Sequence, residues 1–409
     1  MLGYPKDWVL SDLKSKLNSA FWLMPVTPTY VHYGVPYITS KNIKDGKINF
    51  LNSDKITYAD YYKVSNLRKI EHNDILITMI GTIGEIGIVD SNLNFYGQNI
   101  YLIRPNKQEL DSNFFYYLFN LPQNKESILN NKGGSTQGYL RADSVIEKKY
   151  YFPNINEQKA IAETLMAFDR HIENLESLIE KKKMVRDGTI EDLMSGKTRL
   201  DGFEDEWEKV SFNDIIGHLK SGLSRELKNE DIGIPVVRAN NIDNGFLYLD
   251  RDIKYWYNED PKGVNINNFL IQKDDILVNF INSESKMGTT AIVKNTPKRK
   301  TIYTTNILRM RVKKFLNPKF IFYITFTEKY KSYIKDISKI AVNQASFTTV
   351  DYKKFECKIP ADVKEQEAIA SILTSMDEEI ENLEKEKAKI KKIKVGAMDD
   401  LLTGRVRLI

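Results

Sequence analysis

Few side chains here have the type and spacing that covalent chemistry requires. One cysteine, Cys357, and four scattered histidines, His32, His72, His171 and His218, make no metal-ligand set. No Ser/His/Asp or Cys/His neighbourhood is apparent either. Gly196-Lys197-Thr198 has the ending of a phosphate-binding loop, but Glu191 stands where that loop needs its first glycine. Gly81, Gly84 and Gly87 recur at every third residue, a spacing that predicts a tight β-hairpin and not a dinucleotide fingerprint. Asn317-Pro318-Lys319-Phe320 reads as a helix start. Catalysis by this chain is not expected, and no cofactor or metal is assigned to it.

The residues suited to chemistry are those of molecular recognition. Polar loop segments stand at Thr39-Ser40-Lys41-Asn42, Ser135-Thr136-Gln137, Arg238-Ala239-Asn240-Asn241 and Asn343-Gln344. Amide and guanidinium groups form the paired hydrogen bonds that distinguish purine edges in the DNA major groove. Lys298-Arg299-Lys300 has the charge to neutralise phosphates. The alternative for each is a polar turn or a solvated tip, since turns are polar whatever they bind.

A long internal repeat must position these loops. Residues 157–200 and 365–408 align without a gap, 208 positions apart, with 20 of 44 pairs identical. In the first copy Ile161, Leu165, Phe168, Ile172, Leu175 and Ile179 alternate spacings of four and three, the seam of a coiled coil. Ile369, Leu373, Met376, Ile380 and Leu383 repeat that seam in the second copy. Each segment predicts a helix of about 30 residues, roughly 45 Å long, weakened or ended by Gly188/Gly396 and Gly196/Gly404. A helical hairpin that merely staples the fold is the plainer alternative. Polar residues kept in both copies are Glu157/Glu365, Gln158/Gln366, Asp169/Asp377 and Asn174/Asn382. They are candidate partner contacts, although the helix dipole also favours glutamate in a first turn. Because Asp169 and Asp377 lie mid-helix and Asp169 is off the seam, their replacement by alanine is expected to spare the fold and weaken partner assembly.

The segments before each helix repeat more weakly. Asp74-Ile-Leu76 matches Asp275-Ile-Leu277, Arg104 matches Arg311, and Asn113–Leu118 matches Lys319–Ile324. Short β-branched and aromatic runs broken by Gly, Asn and Asp turns predict a mostly β, curled sheet, with helices near 111–120 and 317–330. At 409 residues, more than one core is expected. The net charge is +5, of which residues 1–155 carry +3 and 201–363 carry +4, while each repeat segment comes to −1. The positive excess therefore sits with the loops, as a weak polyanion signal. No run approaches 18 apolar residues and the opening MLGYPKDWVL has no signal-peptide core, so a soluble cytoplasmic protein is expected.

Together these residues resemble a known pattern. The run E-Q-x-A-I-A-x-x-L-x-x-x-D-x-x-I-E-x-L-E followed by G-x-x-x-D-L-[ML]-[ST]-G-[KR]-x-R-L, present at Glu157–Leu200 and Glu365–Leu408, is similar to the helical region of type I restriction–modification specificity subunits. The Gly3…Trp8 and Gly202…Trp207 openings and the Gly-Ser-Thr-Gln segment ending at Gln137 also match, whereas Val342-Asn-Gln departs from it. The resemblance implies an α+β fold with an internal pseudo-two-fold repeat. Two mostly β target recognition domains, 1–155 and 201–363, would be separated by helical regions 156–200 and 364–409, packed as an antiparallel coiled coil. It implies a non-catalytic DNA-reading subunit for a bipartite, asymmetric site, with the helices as a ruler for the spacer. Its partners would be double-stranded DNA, two adenine-methylating modification subunits and restriction subunits, with no membrane. S-adenosylmethionine, ATP and Mg would belong to those partners alone. A stand-alone DNA-binding scaffold that dimerises through its coiled coil is the competing reading.

Overall fold

The computed structural model describes residues 3–66, 68–130, 138–341 and 344–408. Two compact units divide the chain, one of Met1–Glu176 with Lys385–Ile409 and the other of Ser177–Glu384. The sequential division into domain and helix is therefore not the division into packed bodies: each unit takes one part of each long helix.

Both units are built on the same four-stranded antiparallel sheet. In the first its order is Leu17–Leu23, Ile100–Pro105, Ile75–Thr78, Ile86–Ile88. In the second it is Ile216–Ser221, Ile307–Val312, Ile276–Asn279, Thr290–Ile292. Strand periodicity sends successive side chains to opposite faces, and both faces are covered here. Ile75 and Ile77 enter one core and Leu76 another; Ile276 and Val278 enter one and Leu277 another. A three-stranded sheet closes the second core of each unit, in the orders Asp54–Ile56, Tyr30–Ile38, Tyr96–Gly97 and Lys254–Tyr257, Gly233–Val237, Ile302–Tyr303. The repeated Asp and Arg hold these central strands together. Arg104 makes a bidentate pair with Asp74 (2.8 and 2.7 Å), and Arg311 pairs with Asp275 in the same way.

The expected hairpin at Gly81–Gly87 forms between Ile75–Thr78 and Ile86–Ile88, with positive φ at Gly81 and Gly84. The expected short helices form at Ser112–Asn120 and Pro318–Ile324, capped by Asp111 and Asn317, and a further helix follows at Glu328–Ile337.

The long helices run Ile155–Met194 and Val363–Leu402, 40 residues each, so they reach about 60 Å rather than 45 Å. Gly188 and Gly396 lie inside them and end nothing; termination comes at Gly196 and Gly404, which take φ near +70°. Within each unit the two helix segments are antiparallel. Glu157 and Glu176 meet Arg407 and Lys391 in the first, and Arg186 and Arg199 meet Asp377 and Glu365 in the second. Ile161 and Leu165 with Leu401 and Leu402 enter the core that holds Phe114 and Phe115, while Ile369 and Leu373 with Ile190 and Leu193 enter the core that holds Phe320. Both helix segments of a unit are thus core elements of its globular part.

Cys357 lies buried on strand Glu356–Ile359, and burial pushes its thiol up to about 12. Thiolate is the reactive form, so alkylation of the native protein at pH 8 should be at least 100-fold slower than that of the denatured chain. Equal rates would show that this strand opens readily.

Candidate DNA interface and partner face

The polar turns chosen from sequence fold alike in both units. Thr39 and Arg238 precede 3-10 turns Ser40–Asn42 and Ala239–Asn241. In each, the final asparagine is turned inward. The Asn42 Oδ1 accepts the Thr39 N–H (2.9 Å) and its Nδ2 donates to the Asn49 carbonyl (3.2 Å). The Asn241 Oδ1 accepts the Arg238 N–H (2.8 Å) and its Nδ2 donates to the Tyr248 carbonyl (3.0 Å). Asn42 is 8% exposed and Asn241 3%, so both amides lock a turn and are not free to read bases. Lys41 and Asn240 are left exposed on these turns, with Thr39, Ser40 and Arg238 half-buried. The Arg238 guanidinium is also held, by Asp252.

The turn lies against the hairpin in both units, on its loop in the first and on the end of a strand in the second. The Thr82 hydroxyl donates to the Ser40 carbonyl (2.8 Å), and the Asn279 amide reaches the Ala239 carbonyl (3.4 Å). In the second unit this loop carries Asn282, Ser283, Ser285 and Lys286, a polar run that motif-based reading passed over. Gln344 joins it: strand Gln344–Ser346 pairs with Ile281–Asn282 on one side and Lys339–Ala341 on the other, leaving Gln344 and Lys339 exposed. The structure therefore brings Asn240, the 282–286 loop and Gln344 into one polar surface. Ser135, Thr136, Gln137 and Asn343 lie outside the described residues. Arg299 is engaged: it pairs with Asp231 (2.6 Å), whose carboxyl it holds below the ordinary range, and lies over the Tyr255 ring. Lys298 and Lys300 stay exposed.

The retained polar residues of the helices need correction. Glu157, Gln158, Glu365 and Gln366 are each 3% exposed or less, which leaves no surface for a partner. The Gln158 Oε1 accepts the Asp111 N–H and its Nε2 donates to the Pro153 carbonyl (both 3.0 Å). Gln366 repeats this on Asn317 (3.0 Å) and Pro360 (2.9 Å). Each glutamine thus braces the cap of a short helix. Glu365 takes both arms of Arg199 (2.8 and 3.0 Å), and Glu157 binds Arg407, which also grips Asp7 (3.0 and 2.8 Å). The hydrogen bond from Arg407 holds the Asp7 carboxyl below its ordinary range.

Asp169 and Asp377 are likewise internal partners. Asp169 accepts the Tyr117 hydroxyl (2.6 Å) and pairs with Lys394. Asp377 accepts the Tyr323 hydroxyl (2.7 Å) and pairs with Arg186 (2.9 Å), and is only 9% exposed. Burial first, and then the neighbouring carboxylate, pushes both phenols far up, so they remain protonated donors. Each clasp joins a short helix of the globular part to both long-helix segments. Of the proposed partner contacts, Asn174 and Asn382 are the pair that stays exposed.

Among the described residues no group of three or more His, Cys, Asp or Glu could hold a metal, and no helix is long and apolar enough to cross a membrane. Duplicated sheets, duplicated turn-and-hairpin surfaces and exchanged helix segments define a two-headed recognition scaffold. The family model for the type I restriction modification DNA specificity domain matches residues 23–182 and again 204–392. The chain belongs to that family, whose members are the non-catalytic subunits that give type I systems their DNA sequence specificity. A Methanocaldococcus jannaschii protein provisionally named the type I restriction enzyme MjaX specificity subunit is 30% identical over 99% of this chain and 95% of its own length. The Escherichia coli EcoKI specificity subunit is 22% identical over 93% of this chain and 84% of its own. The crystal structure of an S subunit from M. genitalium superposes with a TM-score of 0.61 at 19% identity, covering 98% of this chain and 97% of that one. This last likeness supports the fold.

Proposed function

We propose that the two units read the two halves of a bipartite, asymmetric DNA site, and that the chain recruits two adenine-methylating modification subunits and, in a larger cytoplasmic assembly, restriction subunits. The supporting observation is one scaffold carrying two sets of exposed residues. The same turn abuts the same hairpin in both units, yet Lys41 stands where the other has Asn240. Identical scaffolds bearing unlike hydrogen-bonding groups suit two unlike half-sites. S-adenosylmethionine, ATP and Mg are assigned to the partner subunits.

Adenine-methylation sequencing of the host genome, with and without this gene, tests the reading. Loss of one gapped, two-part motif on deletion is the expected result; an unchanged methylome overturns it. The purified chain should bind DNA in a salt-dependent way. It should show no methyl transfer or cleavage once partners are stringently removed. Activity retained after that removal would sink the non-catalytic assignment.

The helices are assigned the ruler for the spacer. Helix register is fixed by ion pairs in both units, so lengthening one helix alone would pull them apart. Four residues inserted after Glu176 and four after Glu384 should preserve them and add roughly 6 Å. The preferred spacer should then lengthen by one or two base pairs with the half-sites unchanged, as read by the methylated motif. An active complex with its original spacer would place the ruler elsewhere.

A further inference from the structure

Arg238 opens the 3-10 turn Ala239–Asn241 of the second unit, next to exposed Asn240. Its guanidinium is only partly used. Nη2 donates both to the Asp252 carbonyl and to the Asp252 carboxylate, while Nε is buried without a partner. A buried donor with no acceptor carries a penalty that a change of partner can remove. Asp252 also gathers the Asn240 amide (3.3 Å) and the Lys254 ammonium (3.8 Å). It does so from a left-handed backbone (φ +46°), which residues other than glycine seldom adopt. One carboxylate thus holds an arginine, an amide and a lysine, the donor types that bind phosphates and purine edges in DNA.

The first unit is furnished differently at the same place. Thr39 stands for Arg238, and its hydroxyl is already bonded to Asn42 (3.3 Å). Strand register extends the comparison to the loop. Tyr37 pairs with Asp54 as Val236 pairs with Lys254, which puts Asn52 in the place of Asp252. The arginine and the carboxylate that holds it therefore occur together in one unit, and neither stands at the matching position of the other.

We infer that Arg238 reads a guanine in the half-site of the second unit, and that Asp252 is a placeholder that holds the arginine until DNA takes it over. This rests on the half-site reading above and names one base contact within it. Guanine presents O6 and N7 to the major groove, and an arginine fork bonds both. Either fork of a guanidinium, Nη1 with Nη2 or Nε with Nη2, needs the Nη2 that Asp252 occupies. The exchange is favoured because the Asp252 side chain is 55% exposed. An ion pair so exposed is weak, and approaching phosphates repel its carboxylate. The same exchange frees Asn240 and Lys254.

The test measures binding of the purified full chain to duplexes carrying the gapped motif of the host methylome. Each guanine is replaced in turn by 7-deazaguanine, which lacks only the N7 acceptor. Wild type should lose about fivefold or more in affinity at one guanine, in the half of the motif that survives exchange of residues 1–155. Arg238→Ala should keep the wild-type melt, bind the unmodified site on the order of tenfold more weakly and be indifferent to that replacement. Asp252→Asn should bind more tightly and keep the same guanine dependence, and it should gain clearly less in an Arg238→Ala background. An equal gain in both backgrounds would mean that Asp252 acts by charge alone and would overturn the placeholder. If Arg238→Ala weakened every sequence alike and lowered the salt slope by about one, Arg238 would be a phosphate contact and the guanine reading would be wrong. A second half-site without a G·C pair would also overturn it. Neither result touches the two-reader assignment, which falls if deleting the gene leaves the methylome unchanged.

Discussion

Replacing Asp377 by alanine should lower the melting temperature of the second unit by roughly 6–20 °C, the largest stability loss expected from a single helix substitution. The change strips a 9%-exposed carboxylate from Arg186 and from the Tyr323 hydroxyl, leaving a guanidinium that is itself 7% exposed with only the solvent-exposed Asp187 carboxylate as its anion. Breaking a buried pair by removing one partner costs about 3–5 kcal/mol, and in a unit of this size each kcal/mol shifts the melt by about 2–4 °C. Asp169→Ala should cost clearly less, because the Asp169 carboxylate is already 34% exposed and the flexible Lys394 side chain can turn toward water. The apolar double replacement Arg186→Met with Asp377→Leu should recover most of the loss, since it strands no charge. Calorimetry on the three variants checks the ordering; an Asp377→Ala melt within 2 °C of wild type would refute the clasp.

Exchange of the first recognition segment, residues 1–155, for that of a related specificity subunit should convert one half of the methylated motif entirely and leave the other untouched. The prediction depends on each unit having its own sheets and its own cores. It also places a condition on the donor. The incoming segment must supply the equivalents of the Tyr117 hydroxyl and of the main-chain N–H at Asp111, which donate to Asp169 and Gln158 on the retained helix. A graft lacking them should fold poorly at that joint. A change in both halves of the motif would show that the two readers are not independent.

These joints mark where the sequence was and was not legible. The gapless repeat foretold duplicated units, the glycine spacing a hairpin, and the Asp74/Arg104 and Asp275/Arg311 islands something worth keeping. It misjudged the polar residues of the helices. A seam of period 3.5 shows one buried face, but the globular part covers a second face of each helix. Asp169 and Asp377 are thereby enclosed by a tyrosine from another element, which periodicity does not register. Asn42 and Asn241 were misread for a related reason. An asparagine that bonds the backbone three residues earlier has the composition of a recognition loop and the function of a latch. Gly188 and Gly396 were expected to weaken or end the helices because propensity is local, and packing of the flanking turns carries the helices through them.

The crossed pairing of the repeats has a genetic consequence. Glu157, at the start of the first repeat, finds its arginine at the end of the second, and Glu365 finds its own at the end of the first. Neither repeat contains a finished unit, yet each contains whatever the other lacks. Two separate chains, each with one recognition segment and one helix, would hold every residue needed to complete both units by exchange. Such a half-length ancestor would read a symmetric site. Joining two copies in one gene would free the halves to diverge, turning a palindrome reader into a reader of two unrelated words.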